Sequence, residues 1–288
     1  DAVNLIDADV ALITGIALDH TDWLGDNLQQ IGAEKAGIMR AGRPAVFAAS
    51  EMPDSIAETA QRLGAQLLRN GIDYHYQTGQ HDWHWQSQTV RRSALPIPAM
   101  RGRYQIQNAA AVLQVLACLS DVLPVDQQAI RAGLLSASVS GRFQVVQRTC
   151  RWILDVAHNP QAVQELVTQL SDLYVPGHTH VVVGMLRDKA LVDVLGTLAG
   201  RVDAWHLIDL SSQTRGASDQ DLYQALAVDE QPRASCHADI DSCLAQLEAQ
   251  ATAEDVVLIV GSFVTVGQAL AWLEHNPTLG YSRGSEDG

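Results

Sequence analysis

Lysine is nearly missing from this chain: of its 19 basic residues only Lys35 and Lys189 are lysines. A Walker-type phosphate loop needs Gly-Lys followed by Ser or Thr. Lys35 stands between Glu34 and Ala36 and Lys189 between Asp188 and Ala190, so these 288 residues contain no such loop. Positive charge is scarce altogether. The formal net charge is -14 and the isoelectric point is near 5.0, which disfavours nucleic acid or an anionic membrane as partner. Any anionic substrate must then be met by local arginines and metal ions. The four cysteines (Cys118, Cys150, Cys236, Cys243) form no C-x-x-C pair, which argues against a zinc or disulfide framework and for a reducing compartment. No apolar run is long enough to span a bilayer, and no signal-peptide pattern, internal repeat or low-complexity segment is present. A cytoplasmic protein is expected.

What is present is apolar sequence in short runs. With 47% hydrophobic and 18% charged residues, the chain suits about two globular domains. Residues 11–17 form an apolar run that ends in Asp-His-Thr-Asp, as a buried parallel strand with a functional loop at its carboxyl end would. His20 in that loop is either a metal ligand or a hydrogen-bonding partner of its own turn. In the helix predicted next, Ile31, Lys35 and Ile38 fall at i, i+4 and i+7, which places Lys35 in the apolar stripe. An ammonium there pairs with a carboxylate, snorkels to the rim or loses its charge.

PAVFAA (44–49) predicts a second buried strand and 53–63 a helix, giving β-α-β-α order. QLLRN, DYHYQ and DWHWQ, within 66–88, read as small antiparallel strands with His75, His81 and His84 on their surface. Helices are expected over 105–120 and 125–138, the first buried by its apolar character and carrying Asn108 in its first turn. SASVSGR (136–142) marks a boundary between a domain over 1–141 and another over 142–279, with a disordered tail over 280–288.

In the second domain, strands and helices alternate to give about six strands in a Rossmann-like open sheet, so the fold class is α/β. Three strand-to-helix junctions carry polar residues: LDVAHNP (Asp155, His158, Asn159, with Pro160 opening a helix), GMLRDKA (Arg187, Asp188, Lys189) and GSFVTVG (Ser262, Thr265). Together they place donors along one edge of a sheet, the usual location of a ligand site. Arg142 in SGRF either reaches a phosphate there or is a solvated linker residue. His178 and His180 share a strand face, but no third metal ligand is visible beside them, and they are read as leading into the strand.

The motifs DHTDWLG, IGAEKAGI, the helix bearing Asn108, SGRF, DVAHNP, GMLRDK and GSFVTVG occur in an order and spacing that resembles the dihydrofolate synthase/folylpolyglutamate synthase branch of the Mur ligase superfamily. The resemblance covers nearly the whole chain. It implies ATP-dependent amide synthesis, in which L-glutamate is joined to dihydropteroate or a folate through an acyl phosphate. It further implies that His20 binds Mg2+ and that Lys35 is carbamylated and helps to organise that metal. ATP would be held by Asn108, Arg142 on phosphate and Asp155 on the nucleoside side, with His158 in a catalytic position near it. Ser262 would meet glutamate, and Asp1 and Ala2 would end a pterin-contacting loop. The family's Gly-rich phosphate loop and its acidic first metal ligand would precede Asp1. The chain, which opens on Asp1 rather than Met, is therefore expected to hold the C-terminal part of the P-loop-type central domain plus the Rossmann-like C-terminal domain, and to be inactive as this piece. A monomer acting on small molecules is expected. Two other readings stay open, a non-catalytic nucleotide- or folate-binding module and a Mur ligase acting on peptidoglycan precursors.

Overall fold

The computed structural model describes residues 2–17, 25, 27–100 and 102–277, and the chain divides into two compact units, Asp1–Ser138 and Val139–Gly288. Asp1, His20 and the tail over 280–288 lie outside the described residues. Among the described residues no helix is long and apolar enough to cross a membrane.

In the first unit, β1 (Ala11–Ile13), β2 (Pro44–Phe47) and β3 (Gln66–Arg69) form a parallel sheet in that order. The strand predicted over 11–17 thus ends at Ile13. Helices α1 (Leu28–Ala36) and α2 (Asp54–Leu63) are the crossovers, and they approach so closely that a Cβ on Gly32 would lie 2.6 Å from Ser55 Oγ. The antiparallel pairing expected for QLLRN is wrong. Helix α2 carries the chain back to the starting end of the sheet, so β3 must run parallel to β2.

Antiparallel pairing does join β4 (Tyr74–Thr78), β5 (Asp82–Ser87) and β6 (Arg91–Pro96), the last of which the sequence pattern does not mark. Alternation along β5 buries Trp83 and Trp85 and leaves His84 between them half-buried, its Nδ1 accepting from the Ala94 N–H at 3.2 Å; His75 and His81 are exposed. The tryptophans pack with Tyr74 and Leu95 against Ala110, Ala111 and Leu113 of α3 (Arg103–Cys118). The Tyr74 hydroxyl donates to the Phe47 carbonyl at 3.0 Å and ties this small sheet to the parallel one. Helix α3 is less buried than its composition predicts: Val112 is 46% exposed, because only the face centred on those small residues meets the sheet. Asn108 falls in the second turn of α3, since the helix begins at Arg103. Helix α4 (Gln127–Ser136) completes the unit, its N-cap Asp126 accepting from the Ala129 N–H.

The second unit is built on a six-stranded sheet. Its strands are β7 (Gln144–Gln147), β8 (Arg151–Asp155), β9 (Thr179–Val183), β10 (Ala204–Ile208), β11 (Ala234–His237) and β12 (Val256–Val260), in the order β11-β10-β9-β12-β8-β7. All pairs are parallel except β7 with β8. β12 is buried at every position, as a central strand covered on both faces must be. One face takes α5 (Pro160–Ser171), α6 (Leu191–Ala199) and α7 (Asp219–Ala225) against Val181, Val183, Trp205 and Leu207. The other takes α8 (Ile240–Gln250) and α9 (Phe263–His275) against Trp152, Leu154, Val182 and Ile259.

Candidate functional site

The carboxyl ends of β8, β9 and β12 are laced together. Gly261 N–H donates to the Ala157 carbonyl at 3.1 Å, and Thr265 Oγ1 donates to the Gly184 carbonyl at 2.8 Å. Gly261 has a φ of 111°, and a Cβ there would lie 2.7 Å from the Gly184 carbonyl oxygen, so glycine is required at this junction.

Asp155 is the hub of this edge. Its Oδ2 accepts from the Phe143 N–H and its Oδ1 from the Ala157 N–H, both at 2.8 Å. Burial pushes its carboxyl above the usual carboxylate range, while these two N–H groups and Arg142 act in the opposite direction. The first of these bonds docks the SGRF turn onto β8, and Gly141, with φ 71°, accepts from the Val156 N–H at 2.9 Å to complete the dock. Arg142 between them is left exposed, its guanidinium 5.9 Å from the centroid of the Phe263 ring. His158 reaches the same ring from the other junction at 6.0 Å between centroids, and its Nδ1 contacts the Val156 carbonyl at 2.8 Å. Arg142, Asp155, His158 and Ser262 are thus brought together at one end of the sheet.

Ser262 is 4% exposed and caps α9: its Oγ accepts from the Thr265 N–H at 3.0 Å and contacts Thr265 Oγ1 at 2.8 Å. Its hydroxyl therefore orients the helix start. The GMLRDK side chains turn to a neighbouring loop instead, Arg187 donating to the Gly216 carbonyl at 3.2 Å and Asp188 lying 3.3 Å from Arg215. Helix α5 starts as predicted, with Asn159 as N-cap and Pro160 in its first turn.

In the first unit the buried face of α1 is Ile31, Gly32 and Ala36, continued by Met39, and not the Ile31–Lys35–Ile38 stripe. The close approach of α2 at Gly32 turns the helix by roughly one residue, about 100°. Lys35 is consequently half-buried at the border of that face, and Ile38 lies beyond the helix end. Asn108 Nδ2 contacts Gln105 Oε1 at 3.5 Å, and both line an apolar cavity of about 430 Å³ with Val112, Leu116, Ile130 and Leu134. Ala2 opens a short 3-10 turn, Ala2–Leu5, with its side chain outside the described residues. That turn is held by Arg40, which donates to the Asn4 and Ile6 carbonyls and pairs with Asp7 at 2.6 Å.

Sequence reasoning did not find Phe263, Phe143 or Arg40. Phe263 carried a signal, standing at a helix start next to Ser262. Phe143, with φ 45°, and Arg40 carried none, since their roles depend on partners distant in sequence.

Comparison with known proteins adds a family to this geometry. Residues 141–263 match the family described as Mur ligase, glutamate ligase domain. The chain is 40% identical over 270 residues to the dihydrofolate synthase/folylpolyglutamate synthase of Escherichia coli K12, an alignment covering 94% of this chain and 61% of that protein. Among solved structures, E. coli FolC in complex with DHPP and ADP superposes with a TM-score of 0.87 at 38% identity, over 96% of this chain and 64% of that one. The bifunctional folylpolyglutamate synthase/dihydrofolate synthase of Yersinia pestis, complexed with AMPPNP and Mn ion, superposes with a TM-score of 0.84 at 43% identity, over 95% and 63%. The chain thus spans a little over three-fifths of the length of the relatives it matches.

Proposed function

The chain belongs to the dihydrofolate synthase/folylpolyglutamate synthase branch of the Mur ligase family, and we propose that it forms the larger part of an ATP-dependent ligase joining the amino group of L-glutamate to a dihydropteroate or folate carboxylate. The observation that carries this reading is the edge of the second unit's sheet, where Asp155 fixes the SGRF turn so that Arg142 stands exposed over Phe263 beside His158. An exposed guanidinium on an aromatic face suits a phosphate next to a planar base.

ATP supplies the phosphoryl group that activates the substrate carboxylate as an acyl phosphate, from which the glutamate amine displaces phosphate. In this reading Arg142 binds phosphate oxygens and offsets charge that grows during transfer. Asp155, with both oxygens on backbone N–H groups, acts mainly by holding Arg142 in place and reaches the nucleoside with a remaining lone pair. His158 stands beside the nucleotide, and Ser262 presents the α9 start to glutamate. From the first unit Asn108 contributes an amide to the nucleotide, and Asp1 and Ala2 border the pterin. Mg2+ is the proposed metal, held by His20 through a ring nitrogen and by Lys35 as its carbamate, whose oxygens suit a hard cation. Residues outside these 288 would cradle the β- and γ-phosphates, since the sequence holds no Gly-Lys-Ser/Thr loop. The two domains of the reading are 1–141 and 142–279, acting as a monomer in the cytoplasm on small molecules.

The test is a product assay in which the protein, supplied with ATP, Mg2+, L-glutamate and dihydropteroate or tetrahydrofolate, is followed by mass spectrometry. The intact enzyme should add one glutamyl unit per phosphate released, and the 288-residue piece should release none. Transfer to a peptidoglycan precursor in place of the pteroate would overturn the reading, as would nucleotide binding by the intact enzyme without turnover.

A further inference from the structure

The second unit holds a cluster of imidazole and thiol groups that the proposed ligase chemistry does not use. His180, His206 and His237 come from the adjacent strands β9, β10 and β11 and point to the same sheet face. Each lies two residues further up the sheet than the last, because His180 is in register with Ala204 and His206 with Ser235. The rings therefore make a diagonal row. His180 Nδ1 is 3.3 Å from His206 Nε2, and His206 Nδ1 is 3.2 Å from His237 Nε2. Buried Cys243 on α8 covers the far end of the row, and one ligand atom from each of His206, His237 and Cys243 lies within 4.8 Å of the others.

The near end of the row sets its protons. Asp255 is buried and anchored, one oxygen accepting from the His178 N–H and the other from Thr252, and its Oδ2 faces His180 Nε2 at 4.0 Å. A carboxylate there favours the His180 tautomer protonated on Nε2, which makes Nδ1 an acceptor. With His180 in that tautomer, His206 donates from Nε2. Its Nδ1 is left as an acceptor on the side of His237 and Cys243, 3.2 Å from His237 Nε2. A ligating histidine in a metal site is oriented in this way, by a partner that takes its other ring N–H.

We propose that His206, His237 and Cys243 form a site for Zn2+ or a similar borderline-soft divalent cation, with His180 and Asp255 as the groups that orient it. Imidazole and thiolate select such ions over Mg2+ and Ca2+. With Zn–N near 2.0–2.1 Å and Zn–S near 2.3 Å, tetrahedral edges are roughly 3.3 Å between nitrogens and about 3.6 Å between nitrogen and sulfur. The His206–His237 separation of 3.2 Å already matches the first edge. Binding converts the Cys243 thiol to a zinc thiolate and releases one proton to solvent, and the fourth position is left for water. The site is separate from the sheet edge that carries Asp155. β10 and β8 are three strand spacings apart, roughly 14 Å. An ion here would staple β10, β11 and α8.

Cobalt is the probe. The full chain, purified without a histidine tag and stripped with EDTA, is titrated with Co2+. A thiolate-to-cobalt charge-transfer band should grow to about one equivalent and be displaced by Zn2+. Cys243→Ala should abolish the band while keeping the far-ultraviolet circular dichroism. His237→Ala, at a half-buried position, should weaken cobalt binding even where the cysteine variant fails to fold. His180→Ala should keep the band but lower affinity by about 10–100-fold. Zn2+ should raise the melting temperature of the stripped wild type, and the rise should be lost in Cys243→Ala. A folded wild-type chain that shows no charge-transfer band with excess Co2+, or a band that survives Cys243→Ala, overturns the proposal and leaves a row of hydrogen-bonded neutral imidazoles. Neither result bears on the ligase reading.

Discussion

The Phe143 N–H donates to Asp155 Oδ2 over 2.8 Å, and this one bond holds a residue with φ 45° at the start of β7. A non-glycine residue in that region is disfavoured, so the buried acceptor offsets local strain and sets where Arg142 projects. Asp155→Asn retains one carbonyl oxygen for two N–H donors. It should lower unfolding free energy by about 1–3 kcal/mol, read from urea denaturation. Nucleotide affinity should fall with it, because the Arg142 turn is no longer fixed. Unchanged stability together with unchanged affinity would show that Asp155 positions nothing.

Two glycines make opposite predictions for the same substitution. A Cβ on Gly216 would sit 1.7 Å from the Leu210 carbonyl oxygen, where the loop before α7 crosses back, so Gly216→Ala must move backbone and should destabilise by about 1–3 kcal/mol. Gly196, inside α6, meets nothing within 4 Å, and Gly196→Ala should stabilise by about 0.5–1 kcal/mol. Thermal denaturation of the two variants side by side checks both signs.

The alternation of short apolar runs with amphipathic segments was enough to read an α/β fold, and α5 starts where Asn159 and Pro160 put it. The errors share a cause. QLLRN alternates like an edge strand, but its direction is imposed by α2 and not by its own residues. Lys35 looked inward because an ideal wheel was centred on Ile31, whereas the contact at Gly32 rotates the helix. For His178 and His180 the sequence offered no third ligand because the groups that approach His180 come from β10 and the residue before β12, 26 and 75 positions further along the chain. Pairings of that separation exist only after the sheet is assembled. Ser262 and Asp155 were legible as residues at strand ends, but their backbone partners were not.

Acid should destabilise the metal-free protein through His206. Burial, with His237 and His180 beside it, brings its pKa down from 6.5 to about 4. His180 and His237 are shifted in the same direction, burial again being the main cause; Asp255 and Asp203 oppose it at His180, Asp239 and Asp219 oppose it at His237, and Cys243 faces the row from α8. As pH falls through 6.5 the unfolded chain takes up the proton before the folded one does. The stabilising contribution is therefore complete above pH 6.5 and is lost progressively toward pH 4, with a total on the order of 3 kcal/mol. Urea midpoints measured in EDTA from pH 7.5 down to pH 4.5 should fall for the wild type. In His206→Gln the slope should be shallower, and equal slopes would remove His206 as the cause.

Lys35 carries the sharpest consequence of the proposed function. Its stem is half-buried at the border of the α1–α2 contact, where an ammonium beside a divalent cation would be both repelled and partly desolvated. The ammonium loses one proton to become the neutral amine, and addition of CO2 with loss of a second proton gives the carbamate, so a cation becomes an anion at the same position. In the intact enzyme Lys35→Ala should reduce turnover by about 100-fold or more with little change in melting temperature, because charge stabilisation is lost while the helix contact through Ile31 and Gly32 is kept. Short carboxylic acids added to that variant should restore part of the rate by placing an anion in the space left. Lys35→Arg should not recover, since guanidinium keeps its charge and does not form the carbamate. Native mass spectrometry of the active magnesium complex should show the mass of one added CO2, absent from both variants. Near-normal turnover in Lys35→Arg, or an unmodified lysine in an active enzyme, would rule the mechanism out.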